Sequence, residues 1–339
     1  MTTYERLSDL PLRVESLSTE RREMDVSSGF TRVTTTVVLA GGGHEGRGED
    51  VTYEGPDHDG YPQPELRGEW TVDGLSAALG EADLWPVKEP GSEAYRDYRR
   101  WGFESAALDL ALRQAGLSFA AAVGREYRPV RFVVSTRLDP QLWLAVDPTL
   151  EFKLDPVSEW TRELMQELAS TGRVRALDLK AYYTGTAVDQ PIDPGLYRAV
   201  AELFPGAVIE DPAITPETLE ALRGAEERLS FDAPIHSLAD IDALPVRIRQ
   251  VNIKPSRFGT LARLLECIDA CEARGIAMYG GGQFELGVGR GQIQALASVF
   301  YPDTPNDVAP GDYNAPEPQP GLPRSPLPPP AGTPGFSWP

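Results

Sequence analysis

The chain has 339 residues, 41% of them hydrophobic, which is enough for two domains or for one barrel with a cap. Its 51 acidic residues exceed its 32 basic ones and give a net charge of −19, so its surface repels nucleic acid and anionic membranes. It lacks an apolar run of membrane-spanning length and a signal-peptide pattern, and we expect a cytoplasmic protein.

The first part of the chain is expected to mix strands with helices. Residues 14–26 and 31–40 are rich in β-branched side chains and partly alternate, which predicts two strands. The glycine-rich residues 41–50 lack the pattern of a phosphate-binding loop, so we interpret them as a hairpin turn. Residues 96–116 carry apolar side chains at helical spacing and predict an amphipathic helix.

From about residue 129 short apolar segments alternate with amphipathic ones. Seven segments have the length and composition of strands: residues 130–137, 150–156, 174–180, 207–212, 228–234, 246–256 and 275–282. Four of the segments between them have helical spacing: residues 157–172, 193–206, 215–227 and 258–275. A helix between the first two strands has only residues 139–149, which is unusually short. Such repetition predicts a parallel sheet, either a barrel or a doubly wound sheet.

Two further features concern packing rather than chemistry. Cys267 and Cys271 are four residues apart on a predicted helix, and we expect buried apolar residues rather than a disulfide or a zinc site. The tail, residues 301–339, holds 13 of the chain's 31 prolines, a composition typical of disorder. Because Phe336 and Trp338 close the chain with large apolar groups, we expect the tail to pack back on the N-terminal domain.

Charged and polar side chains end five consecutive predicted strands of the repeat. In chain order they are Lys153, Asp178 with Lys180, Glu210, Asp232, and Asn252 with Lys254. Because the carboxyl ends of parallel strands meet at one end of a barrel, we expect these groups to converge there. Each residue taken alone also has a structural explanation, since a strand-end aspartate often caps a helix and a lysine often reaches solvent.

Three buried carboxylates on neighbouring strands are costly unless a cation lies between them. We therefore expect Asp178, Glu210 and Asp232 to bind Mg²⁺, with Mn²⁺ as the other candidate, because hard oxygen ligands select these ions. Lys153 and Lys254 would flank the ion. A metal beside a lysine base is suited to removing a proton α to a carboxylate, because the metal stabilises the resulting enediolate.

At these residues the sequence resembles the enolase superfamily, in particular the subgroup with muconate-lactonizing enzyme, o-succinylbenzoate synthase and N-acylamino acid racemase. FKLDP is similar to the motif of the first catalytic lysine, Lys153, and NIKPSRFG to that of the second, Lys254. ALDLK, VIEDP and SFDAP match the three strands whose ligands would be Asp178, Glu210 and Asp232.

The resemblance covers nearly the whole chain and implies an α/β fold with two domains. It implies a modified (β/α)7β TIM-like barrel at residues 126–300 under an α+β capping domain at residues 1–125. The segment GGGQFELGVGR resembles the seventh-strand motif of the subgroup, so Gly281, Gly282 and Glu285 would line the pocket. The cofactor implied is Mg²⁺.

Other residues are expected to contact substrate because of where they lie on the predicted strands. Arg137 is placed to bind a substrate carboxylate, and Ser135 shares its strand face. Asn252 shares the face of Lys254, and Gln283 lies in the seventh-strand segment. Tyr182 and Tyr183 are candidate pocket walls, while His236 is interpreted as structural.

Three departures from the subgroup pattern concern the neighbourhood of the metal. Lys180 stands where an asparagine is usual, Ala233 where a glutamate is usual, and Glu151 where a lysine is usual. Lys180 is a candidate ligand for a second substrate carboxylate. The interpretation favoured from the sequence is an ion pair with Glu151 or Asp211.

The function expected is metal-dependent abstraction of the proton α to a carboxylate, followed by dehydration, as in a lyase, or by racemisation or epimerisation, as in an isomerase. The substrate would be a small-molecule carboxylate, and a homo-oligomer is compatible with the sequence. The alternative is a metal-binding barrel that has lost turnover and serves as a ligand-binding or assembly protein.

Overall fold

The computed structural model describes residues 1–186, 188–330 and 332–338. Its N-terminal part contains, in chain order, β1 (Pro11–Val14), β2 (Ser16–Asp25), β3 (Thr31–Gly41), β4 (His44–Asp50), β5 (Gly68–Thr71), α1 (Val72–Glu81), α2 (Ala94–Ala115) and α3 (Phe119–Ala122). Strands β2, β3 and β4 form an antiparallel sheet, β1 pairs with β5, and α2 packs across β4.

The glycine-rich segment is mostly a strand, so its interpretation as a turn was wrong beyond Gly42 and Gly43. Residues 44–50 form β4, which pairs with β3 along its whole length. A β-carbon on Gly46 would lie 2.3 Å from the carbonyl oxygen of Ala106 in α2, and one on Gly48 would meet α2 as closely. The glycines therefore let a helix approach the sheet, a requirement that strand propensity does not reveal.

The C-terminal part alternates strands and helices: β6 (Val134–Ser135), α4 (Pro140–Val146), β7 (Phe152–Leu154), α5 (Arg162–Ser170), β8 (Val174–Asp178), α6 (Pro194–Leu203), β9 (Val208–Glu210), α7 (Pro216–Ala221), β10 (Leu229–Ser230), α8 (Leu238–Ala243), β11 (Gln250–Ile253), α9 (Pro255–Phe258), α10 (Leu261–Arg274), β12 (Ala277–Gly280) and α11 (Val288–Phe300). Each of the seven predicted strands contains one of these strands. Helix α7 ends earlier than predicted, and a separate 3-10 turn, Glu226–Arg228, follows Gly224, whose φ is +83°.

The strands follow one another around a parallel barrel. Strands β6 to β10 are hydrogen-bonded in chain order, β11 pairs with β12, and the amide of Asn252 donates to Phe231 beyond β10. Residues 306 and 307 close the circle, because Asn306 bridges Phe132 before β6 and Asp307 bridges Gly281 after β12. The fold is the expected α/β one, a TIM-like barrel with seven helix-linked strands and a closing strand under a β-rich cap.

The C-terminal tail packs on both parts of the molecule within its described residues. Leu327 bridges Val130, and the buried Phe336 ring lies 4.7 Å from that of Phe119 and 6.4 Å from that of Trp101 on α2. The free energy gained by burying these large apolar groups thus offsets the conformational entropy that the proline-rich segment loses when it becomes ordered. No helix in the described part of the chain is long and apolar enough to span a membrane.

Candidate active site

Three carboxylates converge at the carboxyl ends of neighbouring barrel strands. Asp178 is the last residue of β8, Glu210 is the last residue of β9, and Asp232 follows β10 by two residues. All three are fully buried, and one oxygen from each lies within 4.8 Å of the others. Asp178 and Glu210 are register partners, so the parallel pairing itself brings them side by side. We call these three residues the acidic triad.

Two buried lysines approach the acidic triad from different strands. The Nζ of Lys153, in β7, contacts Glu210 and lies 3.3 Å from Asp178 Oδ2. The Nζ of Lys254, directly after β11, lies 2.8 Å from Asp232 Oδ2. Strands β7 and β11 border the three strands that carry the acids, so the lysines reach the triad from its two sides.

A third lysine touches the same group. The Nζ of Lys180 contacts Asp178 and lies 3.6 Å from Asp155 Oδ1. The expected pairing of Lys180 with Glu151 or Asp211 was therefore wrong. Its backbone, held at φ +54°, turns the chain so that the side chain folds back over the end of its own strand.

The two acids proposed as partners of Lys180 have other roles. Glu151 pairs with Arg131 and Arg175, both through contacts of 2.7 Å. Asp211 accepts from the backbone amide of Asp232 at 2.7 Å and so positions a residue of the acidic triad. Glu151 lies before β7 and Lys180 lies beyond β8, a separation along the barrel axis that alternation alone does not show.

Burial and neighbouring charges shift the pKa values of the triad in different directions. Burial, reinforced by the charges of Asp178 and Asp232, raises the pKa of Glu210 to about 8. Burial also favours the neutral form of the two aspartates, but Lys180 and Lys153 hold the pKa of Asp178 well below its usual range. Arg257 and Lys254 do the same for Asp232.

The carboxylate oxygens of the acidic triad are suitable ligands for a divalent metal ion. Among the described residues, two buried oxygens at the triad have no hydrogen-bond partner, the carboxylate oxygen Asp232 Oδ1 and the amide oxygen Asn252 Oδ1. A buried oxygen without a donor is costly, and a hard cation coordinated by it removes that cost. Asp178, Glu210 and Asp232 are the residues that would hold it.

The other expected site residues fall into two groups, the first of which lies beside the acidic triad or beside Lys153 and Lys254. Asn252 Nδ2 donates to Glu210 Oε2 at 3.2 Å. A β-carbon on Gly281 would lie 2.6 Å from Asn252 Oδ1 and 2.8 Å from Lys254 Cε, so only glycine leaves room for these side chains. Ser135 is the register partner of Lys153 at the end of β6.

The second group makes its hydrogen bonds and ion pairs, among the described residues, with other parts of the protein. Arg137 pairs with Asp155 through two contacts of 3.3 Å. Gln283 joins the barrel to the cap because its amide accepts from Tyr53 and donates to Tyr98. Glu285 pairs with Arg290 at 3.2 Å, and a β-carbon on Gly282 would lie 2.3 Å from its carboxylate.

Of the two tyrosines interpreted as pocket walls, one contacts the acidic triad and the other packs against Phe231. Tyr183 OH donates to Asp232 Oδ2 at 3.3 Å, so this side chain belongs to the site. The Tyr182 ring is partly exposed and packs edge-on against Phe231. The ring nitrogens of His236 face backbone carbonyl oxygens, in keeping with a structural role.

Sequence reasoning missed three residues of the site. Arg257, buried in α9, lies 3.3 Å from Asp232 Oδ2, and its place three residues after Lys254 in NIKPSRFG was an available signal. Tyr279 OH donates to Glu210 Oε2 at 2.5 Å from β12. Asp307 lies 3.6 Å from Lys153 Nζ, and it was hidden by the proline-rich composition around it.

The chain is 30% identical to an N-succinylamino acid racemase from Amycolatopsis sp., over 80% of this chain and 76% of that protein. It is 39% identical to the o-succinylbenzoate synthase of Bacillus subtilis (strain 168) over 59 residues, or 17% of this chain and 16% of that one. The chain belongs to the enolase superfamily, in its muconate-lactonizing enzyme subgroup.

Family models and solved structures match the chain as well. Two models match, the N-terminal domain of DUF8230, a domain of unknown function, at residues 5–122 and its C-terminal domain at residues 126–315. The muconate cycloisomerase of Pseudomonas fluorescens has the same fold, with a TM-score of 0.68 and 18% identity over 96% of each chain.

A second solved structure is an enolase-superfamily member from Listeria innocua Clip11262, with a TM-score of 0.64 and 17% identity over 89% of this chain and 86% of that one. The curated relatives of this enolase-superfamily protein are enzymes.

Proposed function

We propose that this protein is a Mg²⁺-dependent enzyme that removes the proton α to a carboxylate and returns a proton on the opposite face, an isomerase acting on N-acylated amino acids. The observation that carries the proposal is the arrangement of Lys153 and Lys254, which reach the acidic triad from β7 and from β11. Racemisation needs one acid-base group on each face of the α-carbon, and two lysines on separate sides supply that pair.

The charges of the site determine when these lysines can act. Burial alone lowers the pKa of Lys153 and Lys254, whereas Glu210 and Asp178 for the first and Asp232 for the second raise it above the ordinary value. A divalent cation held by the acidic triad would neutralise those carboxylates and stabilise the negative charge that develops on the substrate carboxylate.

The residues of this chain then divide the proton transfer between them. One lysine accepts the α-proton on its side of the substrate, and the other lysine donates a proton on its own side. Their burial excludes water from the proton-transfer positions, with 2% and 8% of the two side chains exposed. Reversal of the roles returns the first enantiomer, so the product mixture is racemic.

The choice of N-acylated amino acids rests on likeness to the Amycolatopsis racemase, which extends over most of both chains. A second candidate is dehydration of a hydroxy acid, favoured by the 39% identity to o-succinylbenzoate synthase over 59 residues. Both reactions begin with α-proton removal, and they differ in whether the partner lysine returns a proton or assists loss of water.

The proposal is tested by incubating the protein with Mg²⁺ and single enantiomers of N-acetyl and N-succinyl amino acids in D₂O. We expect the α-proton signal to disappear in the NMR spectrum and the optical rotation to fall to zero. The matched control is the same protein with excess chelator, which should show neither change. Absence of exchange from every acid, with Mg²⁺ binding established by calorimetry, would refute the racemase and leave the dehydratase and the binding protein without turnover.

A further inference from the structure

The mouth of the barrel carries basic groups beyond the two lysines assigned to proton transfer. Arg137, Asp155 and Lys180 follow the ends of the consecutive strands β6, β7 and β8. We call these three residues the basic corner. Asp155 lies between the two cations, with Oδ2 at 3.3 Å from Arg137 and Oδ1 at 3.6 Å from Lys180 Nζ. Two cations thus share one carboxylate.

The positive charge of Lys180 is also compensated by Asp178 of the acidic triad, which its Nζ contacts. A divalent cation on the acidic triad would draw on the same carboxylate, leaving Lys180 with only the acid that Arg137 already uses. A buried ammonium group without a full counter-charge is unstable in a site of low polarity. The basic corner therefore has one positive charge to offer to a ligand when the metal site is filled.

Lysine is rare in this chain and is concentrated at the acidic triad. The chain has 28 arginines but four lysines, and three of these, Lys153, Lys180 and Lys254, contact the acidic triad. The general need for positive charge in this chain is met by arginine. A compact ammonium fits beside Asp178 and can turn between partners, whereas a planar guanidinium holds a fixed fork.

The exposure of the basic corner decreases toward the acidic triad. The exposed fraction of the side chain falls from 38% at Arg137 to 15% at Asp155 and 13% at Lys180. The corner therefore opens to solvent at its outer end and reaches the acidic triad at its inner end. The backbone of Lys180 is held in the left-handed region, φ +54°, a conformation that residues other than glycine adopt at a cost.

We propose that the basic corner is a subsite for a second anionic group of the substrate, with Lys180 as the residue that selects dianions over monoanions. The inference deepens the proposed function and rests on it in one respect, namely that a substrate carboxylate occupies the metal site. The second charge then lies along the ends of β6 to β8, where Arg137 and Lys180 donate to it. The chemical class is a dicarboxylate. The Amycolatopsis relative is named for one class of such dicarboxylates, the N-succinyl amino acids, and the basic corner is the site for their second charge in this chain.

The test uses two ligands of the same shape and different charge, N-succinylalanine and its terminal amide, N-succinamoylalanine. Their affinities for the Mg²⁺-loaded protein are measured by calorimetry. A charged hydrogen bond in a partly buried site corresponds to roughly a 10- to 100-fold difference in affinity, so we expect the dianion to bind at least about 10-fold more tightly. Lys180→Met should remove this preference, and Arg137→Met should reduce it.

The matched control is Lys88→Met, which removes the one lysine outside the site, where it pairs with Asp57 in the cap. This variant should keep the full preference for the dianion. Circular dichroism checks that each variant is folded, and Arg137→Met serves as the second probe if Lys180→Met is not. Equal affinity of the two ligands for the unaltered protein, or an unchanged preference in folded Lys180→Met, overturns the inference, as does failure of both ligands to bind.

Deuterium incorporation at the α-carbon, followed in the same samples, separates the two proposals. Exchange in both ligands without a charge preference would overturn the subsite and leave the proposed function standing. A charge preference that depends on Lys180, without exchange, would overturn the proposed function and leave the subsite standing.

Discussion

The two-lysine mechanism makes a sharp prediction about single-lysine variants. Lys254→Met removes the ammonium that lies 2.8 Å from Asp232 Oδ2, and the new side chain has nearly the same volume. Asp232 keeps a cationic neighbour because Arg257 lies 3.3 Å from the same oxygen. The site should therefore remain folded and should bind Mg²⁺ at least as well, since one positive charge has been removed.

The expected loss in racemisation follows from the role of a positioned acid-base group. Such a group contributes about 10²- to 10⁴-fold to the rate, which corresponds to about 3 to 5.5 kcal/mol of barrier. The loss applies only to steps that use the missing lysine. Lys153 remains 3.3 Å from Asp178, on the other side of the triad, and can still exchange the α-proton of the enantiomer that presents it there.

The assay is deuterium exchange of separate enantiomers of one N-acyl amino acid in D₂O with Mg²⁺, followed by NMR. Lys254→Met should exchange one enantiomer and Lys153→Met the other, and neither should racemise at more than about 1% of the original rate. Exchange of the same enantiomer by both variants, or undiminished racemisation by either, refutes the assignment of one lysine to each face.

Three other changes test the metal site, the cap and the tail. Loss of a group that only supports a metal ligand weakens metal binding roughly 10- to 100-fold. Asp178→Asn removes a ligand itself and should weaken Mg²⁺ binding, measured by calorimetry, by more than that. Gly48→Ala places a β-carbon 2.1 Å from the Gly102 carbonyl oxygen and should destabilise the protein by about 1–3 kcal/mol in urea unfolding. The control is Gly206→Ala, whose β-carbon would have open space around it and which should change stability by less than about 0.5 kcal/mol. Phe336→Ala should cost about 3–5 kcal/mol in the same unfolding experiment, because the ring is fully buried.

Each of these experiments has a result that contradicts its premise. Unchanged Mg²⁺ affinity in Asp178→Asn would mean that the ion binds elsewhere. Equal stability of the two glycine variants would mean that β4 and α2 are further apart than described. An unchanged urea midpoint in Phe336→Ala would mean that the tail does not stabilise the fold.

Much of the site followed from local pattern together with one topological rule. The strand ends that carry Lys153, Asp178, Glu210, Asp232 and Lys254 recur once per strand-helix unit, and parallel strands present their carboxyl ends together. Pattern and rule suffice because each of these side chains lies on a strand or within two residues of its end, and the strands follow one another around the barrel. The family resemblance, which rests on the same strands, identified the superfamily for the same reason.

The parts that sequence reasoning missed depend on contacts between distant segments or on an unusual backbone conformation. Asp307 closes the barrel beside Lys153, although its surroundings have the composition of a disordered tail. Lys180 pairs with Asp178 and Asp155 because a left-handed turn at its own backbone reverses the side chain. Neither outcome is encoded in strand periodicity, which assigns a face but not a partner.

The sequence by itself determined the alternation of strands and helices, the acids and lysines at the strand ends, and so the chemistry available at one end of the barrel. The tertiary structure alone decided the ion-pair partners, the closure of the barrel by residues 306–307 and the fit of β4 against α2. The physical reason is that periodicity and side-chain chemistry are local properties of the chain. Charge pairing and close packing depend on separations in space between residues far apart in sequence.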